Sequence, residues 1–222
     1  MSARPMAELL TGAVPEGFSA TPFDGEAATL AFLAEARKRD AIARFEAAVP
    51  PAMRESDWGH AAMMPNRAQI ERVLAHQVGA KGLLLTGKTG RGKTRSMWSL
   101  MRRLAHDEAR DIRYFHAGDW FATLQACLSY GRDDARGWVD AVARRPVVFV
   151  DDLGQEAIQT ARSEWAMSWF MRFLDIRVSE RLPLYVTTNL DAQGIAERGA
   201  SSVRGDPMVR RLIEICEPIK FV

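Results

Sequence analysis

The chain has 222 residues, and its formal net charge at pH 7 is only +2. A chain of this length with 47% hydrophobic and 26% charged residues is typical of a globular protein with one large domain, or with one domain and a small appendage. The nearly balanced charge excludes a strong overall basic field, so any surface that binds nucleic acid must be local.

Two sequence features predict a cytoplasmic protein without a membrane partner. No apolar run is long enough to span a bilayer, and the N-terminus lacks the basic-then-apolar pattern of a signal peptide. The two cysteines, Cys127 and Cys216, are far apart and have no C-x-x-C or His-rich surroundings. They predict buried, reduced thiols rather than a disulfide framework or a metal site.

The N-terminal segment is predicted to be loosely attached over its first 25 residues, which contain several prolines and glycines. Residues 26–48 predict a helix that ends before Pro50, because proline disfavours a helical conformation in the preceding residue. An apolar stripe does not identify what covers it, so this helix either packs on the main domain or docks a partner protein. The stripe consists of Leu30, Leu33, Ile42, Phe45 and Val49.

Residues 87–94 carry the strongest motif, GKTGRGKT, which fits the phosphate-binding P-loop pattern G-x-x-x-x-G-K-[ST]. A short buried strand is predicted before the loop, at residues 83–86, and a helix after it, from Thr94 to about Asp107. This order fits the mechanism, because glycines let backbone N–H groups close around phosphates at a helix N-terminus. Lys93 is predicted to reach the β and γ phosphates of the nucleotide, and Thr94 to bind Mg²⁺. The predicted nucleotide-contacting residues are Gly87, Lys88, Thr89, Gly90, Arg91, Gly92, Lys93 and Thr94.

A helix at about residues 67–78 is predicted to lead into the P-loop strand, with Ile70 and Val73 facing inward and further inward positions at Leu74, Gln77 and Val78. Trp58 lies in the segment before it. This side chain either stacks on the base of the nucleotide or anchors the core, and the second role is the commoner one because buried aromatic residues mostly serve packing.

A strand covered on both faces is predicted at residues 147–150, where β-branched and aromatic residues follow one another without polar alternation. It ends in Asp151 and Asp152, which match a Walker B motif. Asp151 is predicted to hold Mg²⁺, directly or through water, and Asp152 to act as general base on the attacking water. A solvated turn or a helix cap is the alternative interpretation of such an acidic pair.

The other elements predict an α/β fold with parallel strands. A further strand ends in Thr188 and Asn189, which should face the nucleotide because ligands bind at the carboxyl ends of parallel strands. The Asn189 amide could position water near the γ-phosphate, although asparagine is also an ordinary turn residue. The last strand contains Pro218 and is predicted at a sheet edge. The predicted ranges are strands at 111–116, 182–189 and 215–222, and helices at 118–129, 133–143, 161–178, 192–198 and around 208–213.

The three motifs together resemble an AAA+ ATPase of the DnaC/IstB type, which includes bacterial replicative helicase loaders and transposition helper ATPases. The features typical of this branch are Asp151-Asp152-Leu153-Gly154, Thr187-Thr188-Asn189-Leu190, Val49-Pro50-Pro51 and Arg211-Leu212. The resemblance covers about residues 49–222. It implies a helical N-terminal extension over residues 1–50, as a possible partner-docking segment, and an AAA+ core over residues 51–222.

The resemblance also implies the architecture and the remaining site residues. It implies a five-stranded parallel sheet in the order 5-1-4-3-2 with helices on both faces, and Asn189 as the sensor 1 residue. An arginine finger, which enters the site of a neighbouring subunit, is expected at Arg210 or Arg211, with Arg211 preferred. The helical lid of many AAA+ proteins is not expected after Asn189, and the N-terminal segment lacks the cysteines of a zinc-bearing loader domain.

Single-stranded DNA is the expected nucleic-acid partner. Aromatic side chains between the second and third strands could stack on DNA bases, and basic side chains there could bind phosphates. Core packing of the aromatic residues and an ordinary solvated face for the basic ones are slightly favoured. These candidates are Phe121, Tyr130, Arg132 and Arg136.

The resemblance implies an ATPase that uses ATP and Mg²⁺, forms an ATP-dependent homo-oligomer and loads a replicative DNA helicase. The alternatives are an IstB-type helper that binds a transposase, and a partner-binding scaffold that uses ATP as a switch with little turnover. Most AAA+ relatives have glutamate at the position of Asp152, and this difference is the reason to retain the scaffold as an alternative. A small-molecule kinase is disfavoured because no arginine-rich lid follows the third strand.

Overall fold

The structure, a computed structural model, describes residues 25–54, 61–154, 163–191, 193–195 and 202–222. The first 24 residues and Trp58, for which the sequence makes predictions, lie outside the described residues. The chain divides into two compact units, residues 1–36 and residues 37–222. The first helix, α1, spans Gly25–Ala48 and contributes to both units. The division into an extension and a core at residue 50 stays a prediction.

The second unit alternates strands and helices, with short 3₁₀ helices at Pro51–Met53 and Ala61–Asn66. The strands are β1 (Gly82–Thr86), β2 (Ile112–His116), β3 (Val147–Asp151), β4 (Leu184–Thr187) and β5 (Cys216–Lys220). The helices after α1 are α2 (Arg67–Ala75), α3 (Lys93–His106), α4 (Ala117–Tyr130), α5 (Arg132–Ala143), α6 (Ser163–Ser179) and α7 (Ser202–Ile215).

All five strands are parallel and lie in the order β2-β3-β4-β1-β5. This is the predicted order 5-1-4-3-2 read from the other edge, so the predicted sheet is confirmed. Each parallel connection needs a crossover, and the helices supply it. β5 is an edge strand, as its Pro218 predicts.

Two hydrophobic clusters cover the two faces of the sheet. Successive strand residues point to opposite faces, so Leu84 belongs to one cluster while Leu83 and Leu85 belong to the other. Helices α4 to α7 pack on the first face. Helices α2 and α3 pack on the second, where the end of α1 adds Phe45 and Val49. Within the second unit, this part of α1 therefore packs on the core.

Helix α2 is shorter than predicted, because it ends at Ala75 rather than near residue 78. His76 has an extended backbone, its carbonyl oxygen accepts a hydrogen bond from Arg103, and its ring lies 3.3 Å from the Tyr185 hydroxyl. These contacts draw His76 out of the helical ladder. Gln77, predicted to face inward, is exposed.

Both cysteines are free thiols, and Cys216 is buried. Among the helices of the described residues, none combines the length and apolar character that a bilayer crossing requires.

Candidate phosphate-binding site

The P-loop joins β1 to the N-terminus of α3, as predicted. Three of its glycines have positive φ: Gly87 at 130°, Gly90 at 78° and Gly92 at 87°. At Gly87 a Cβ atom would lie 2.1 Å from the Phe221 carbonyl oxygen, so a side chain there would collide with the backbone that follows β5. This close approach and the left-handed backbone both require glycine.

Lys93 is the first residue of α3, and its side chain is held beneath the loop. Its ammonium donates hydrogen bonds to the carbonyl oxygens of Gly87 and Lys88, at 2.7 and 2.9 Å, and to Asn189 Oδ1 at 2.7 Å. Burial lowers the pKa of Lys93, and the charges of Asp152 and Asp151 oppose this shift. The structure thus brings Lys93 and Asn189 together across the sheet.

Asp151 ends β3 and is only 5% exposed. Its carboxylate accepts hydrogen bonds from the hydroxyl groups of Thr187 and Thr94, the latter at 3.0 Å. Burial raises the pKa of Asp151; the Thr187 hydrogen bond opposes this shift and the Asp152 charge adds to it. No lysine or arginine of the described chain forms an ion pair with Asp151. A buried carboxylate beside the Thr94 hydroxyl supplies the hard oxygen donors that Mg²⁺ prefers, so the two predicted ligands fit the ion.

Asp152 follows with a left-handed backbone, at a φ of 57°. Its N–H donates to the Thr187 hydroxyl oxygen at 3.0 Å, and its carboxylate accepts from the Asn189 amide nitrogen at 3.3 Å. His116 Nε2, at the end of β2, lies 3.9 Å from its other oxygen. Such a backbone costs energy in a residue with a side chain, and strain of this kind is concentrated at functional sites.

Thr187 is a site residue that sequence reasoning missed. Its hydroxyl links the two aspartates, because it donates to Asp151 and accepts from the Asp152 N–H. The prediction that Thr188 faces the nucleotide is wrong: Thr188 is fully buried, and its hydroxyl donates to the Leu153 carbonyl oxygen at 2.6 Å. The register explains the difference, because Val150 pairs with Val186 and the next residues along the two strands are Asp151 and Thr187.

A cavity of about 210 Å³ lies in front of these groups. It is lined by Met53, Thr89, Gly90, Arg91, Gly92, Lys93, Thr94, Arg95, Asp152 and Asn189. Six of the predicted P-loop residues therefore share one cavity with the predicted general base and the predicted sensor. Met53 and Arg95 are additional lining residues without a motif of their own.

The predicted arginine finger lies apart from this cavity. Arg211, on α7, forms an ion pair with Asp175 of α6 and donates to the Pro207 carbonyl oxygen at 3.2 Å. Arg210 is exposed and forms no ion pair with any residue that the structure describes. Neither arginine lines the cavity. The role of Arg211 in a neighbouring subunit stays a prediction.

The predicted DNA-contacting residues differ in their surroundings. Tyr130, at the end of α4, is 85% exposed, and Arg132 and Arg136 are exposed on α5. Phe121 packs against the core, in agreement with the simpler interpretation of this side chain.

Comparison with known proteins identifies the fold. No model of a protein family and no curated protein matches the sequence. Among solved structures, DnaI is similar with a TM-score of 0.56 and 24% identity, over 77% of this chain and 87% of that one. The DnaC helicase loader has a TM-score of 0.57 and 18% identity, over 78% and 100% of the two chains.

DnaA from Aquifex aeolicus, bound to AMPPCP, has a TM-score of 0.54 and 14% identity, over 71% of this chain and 46% of that one. At these identities the likeness shows the fold alone. This chain has the P-loop AAA+ fold, as the sequence resemblance implied.

Proposed function

We propose that this chain binds and hydrolyses ATP in DNA replication, as a loader of the replicative helicase. The observation that carries the proposal is the convergence of Lys93, Asp152 and Asn189 on one cavity, with Asp151 and Thr94 paired beside it. The sequence resemblance to the DnaC/IstB branch supports the loader assignment, and the fold shared with DnaI and DnaC is compatible with it.

Each group has a chemical role in this proposal. The backbone N–H groups of the P-loop bind phosphate oxygens, and Lys93 exchanges carbonyl partners for the β and γ phosphates. Thr94 and Asp151 would hold Mg²⁺, which would supply positive charge against the phosphates. Asp152 accepts a proton from the attacking water, and Asn189 orients that water by its amide. Arg211 of a neighbouring subunit would stabilise charge on the transferred phosphoryl group, so the chain acts as a homo-oligomer.

Single-stranded DNA is the proposed nucleic-acid ligand, with Tyr130, Arg132 and Arg136 as the contacts. Their support is an exposed ring at the end of α4 and two exposed cations on the following helix, the combination that stacks bases and neutralises phosphates. Binding of this kind weakens steeply with salt, because phosphate contacts release counterions.

The experiment that tests the function measures ATP binding and hydrolysis with and without single-stranded DNA. Lys93→Ala should abolish both, whereas Lys220→Ala, an exposed lysine on β5, should change neither. ATP binding without measurable hydrolysis would instead establish the ATP-switched scaffold, for which Asp152 in place of glutamate is the argument. Capture with a purified replicative helicase, compared with a purified transposase, separates the loader from the transposition helper.

A further inference from the structure

Asn66 occupies the N-cap position of α2 but does not cap the helix. Its side chain makes no hydrogen bond to the first turn of α2, although asparagine is among the best capping residues. A side-chain cap normally stabilises a helix, because it satisfies a backbone N–H of the first turn. The Asn66 side chain is nevertheless fully buried, so its polar atoms need partners within the protein.

The amide of Asn66 instead joins two distant segments. Its nitrogen donates to the Arg91 carbonyl oxygen in the P-loop at 3.2 Å, and its oxygen accepts from the Val222 N–H at 3.0 Å. The chemistry of the neighbours fixes which amide atom is which, because a carbonyl only accepts and a backbone N–H only donates. Both hydrogen-bonding ends of the side chain are therefore used.

The segment at Val222 is itself firmly placed. The Phe221 N–H donates to the Thr86 carbonyl oxygen at 2.8 Å, and the Phe221 ring is buried in the core. The Phe221 carbonyl oxygen also packs closely against Gly87. Val222 thus offers Asn66 an N–H in a fixed position, which satisfies the amide oxygen while the amide nitrogen donates to Arg91.

The bond to Arg91 determines how the loop presents its next N–H group. In a trans peptide the C=O and the following N–H point in opposite directions, and the described chain contains no cis peptide bond. With the Arg91 carbonyl turned toward Asn66, the Gly92 N–H points away from Asn66. Gly92 lies on the cavity wall, with a left-handed φ of 87°. Because glycine has no side chain, nothing in Gly92 itself restricts the rotation of this peptide.

We propose that Asn66 is a positioning residue for phosphate binding. It holds the Arg91 carbonyl toward its own amide, so that the Gly92 N–H faces the phosphates. The proposal rests on the nucleotide binding proposed above and assigns a residue outside the P-loop motif to the same site. The amide fixes the loop before the ligand arrives, and so reduces the ordering cost of binding.

The test measures the dissociation constant of a fluorescent ADP analogue with variants that break one bond at a time. Asn66→Asp keeps an acceptor for Val222 but loses the donor to Arg91. Val222→Pro keeps the donor but removes the Val222 N–H. Asn66→Ala removes both bonds without adding a charge. Val139→Ala, a buried change on α5 in the other hydrophobic cluster, controls for loss of stability alone.

Asn66→Asp and Asn66→Ala should each raise the dissociation constant about tenfold, the effect of one well-made hydrogen bond. Val222→Pro should raise it less than about threefold, because the bond to Arg91 remains. Val139→Ala should lower the melting temperature and leave the dissociation constant unchanged. At saturating ATP the rate of hydrolysis should be the same for all folded variants, because Asp152 and Asn189 are untouched.

Three results would overturn the proposal. Either Asn66 variant could bind ADP as tightly as Val139→Ala, Val222→Pro could weaken binding as much as Asn66→Ala, or the turnover at saturation could fall while the affinity stays unchanged. If Asn66→Asp does not fold, the comparison of Asn66→Ala with Val222→Pro decides. The proposed function fails in a different way, namely if the unsubstituted chain does not bind the ADP analogue at all.

Discussion

The Asp151 carboxylate lies at the buried end of β3, with hydroxyl groups as its hydrogen-bond donors. A buried carboxylate without a cation is costly, and this cost is the reason that its pKa is raised. Residues that bind ligands often reduce the stability of the fold, because a buried charge that attracts a ligand is unfavourable when the ligand is absent.

Asp151→Asn should therefore stabilise the nucleotide-free chain while it abolishes Mg²⁺-dependent hydrolysis. We expect a higher free energy of unfolding at neutral pH, because the amide of Asn carries no charge that must be buried. A raised carboxyl pKa destabilises the fold only where the group is charged. The advantage of Asn should consequently shrink as the pH falls through the raised pKa of Asp151. Urea unfolding at neutral and acidic pH measures this, and an Asn variant less stable at neutral pH would contradict it.

The sequence predicted which residues meet at the candidate site better than it predicted the contacts that hold them there. A P-loop pattern identifies Lys93 and Thr94, and a strand end identifies Asp151 and Asp152, because those roles depend on local spacing. Asn66 and Thr187 act through contacts across the fold. The sequence predicts only that a helix follows Asn66, and the role of Thr187 depends on a strand register that no local pattern fixes.

Helix α6 is held in place by a fully buried arginine, Arg177. Its guanidinium donates to the carbonyl oxygens of Ala143 and Arg145, both at 2.9 Å, and to that of Pro183. These carbonyls belong to the end of α5, the turn before β3 and the residue before β4. Burial lowers the pKa of Arg177 to about 10, which still leaves it charged at neutral pH. One side chain thus ties the connection between α5 and β3 to the connection between α6 and β4.

Arg177→Met should cost about 3 kcal/mol or more of unfolding free energy, because buried carbonyl oxygens lose a charged donor. Arg172→Met is the matched control on the same helix. Arg172 pairs with Asp140 through two contacts of 2.7 Å, but its side chain is 34% exposed, so we expect a loss of less than about 1 kcal/mol. Urea denaturation of both variants checks the difference, and equal losses would show that the buried contacts contribute no more than the surface pair.

Element types were predictable where one period dominates the pattern, whereas element ends were not. The β3 prediction holds because the strand is apolar on both faces. Helix α2 ends early because His76 contacts Arg103 and Tyr185, and β4 is limited to four residues, Leu184–Thr187, where a run over 182–189 was predicted. The ends depend on tertiary hydrogen bonds, which local periodicity does not encode.

Considered as a whole molecule, one chain carries a cavity and an arginine that do not meet. Lys93 and Asn189 line the cavity, while Arg211 pairs with Asp175 on the surface of α6. The proposed oligomer would bring the Arg211 of one subunit to the cavity of the next. Such an interface is heterologous, because the two surfaces that meet are different.

Mixing two inactive variants tests this arrangement directly. Lys93→Ala retains the finger and Arg211→Ala retains the P-loop, so each alone should lose hydrolysis. In an equal mixture, about a quarter of the interfaces join an intact P-loop to an intact finger, and about a quarter of the activity should return. If the mixture stays inactive while both variants fold and assemble, Arg211 does not act on a neighbouring site.

The edge strand β5 limits how copies of this chain can associate. Pro218 has no N–H to offer a further strand, and Glu217 and Lys220 place exposed charges beside it. The opposite edge strand, β2, could then extend the sheet only by pairing with the β2 of a second copy. Such a twofold contact joins two chains and cannot add a third. A ring or a filament of this protein must therefore interrupt the sheet at every subunit boundary. In the proposed oligomer the subunits would meet through helices and loops, which can shift and re-form contacts without breaking a continuous β-ladder.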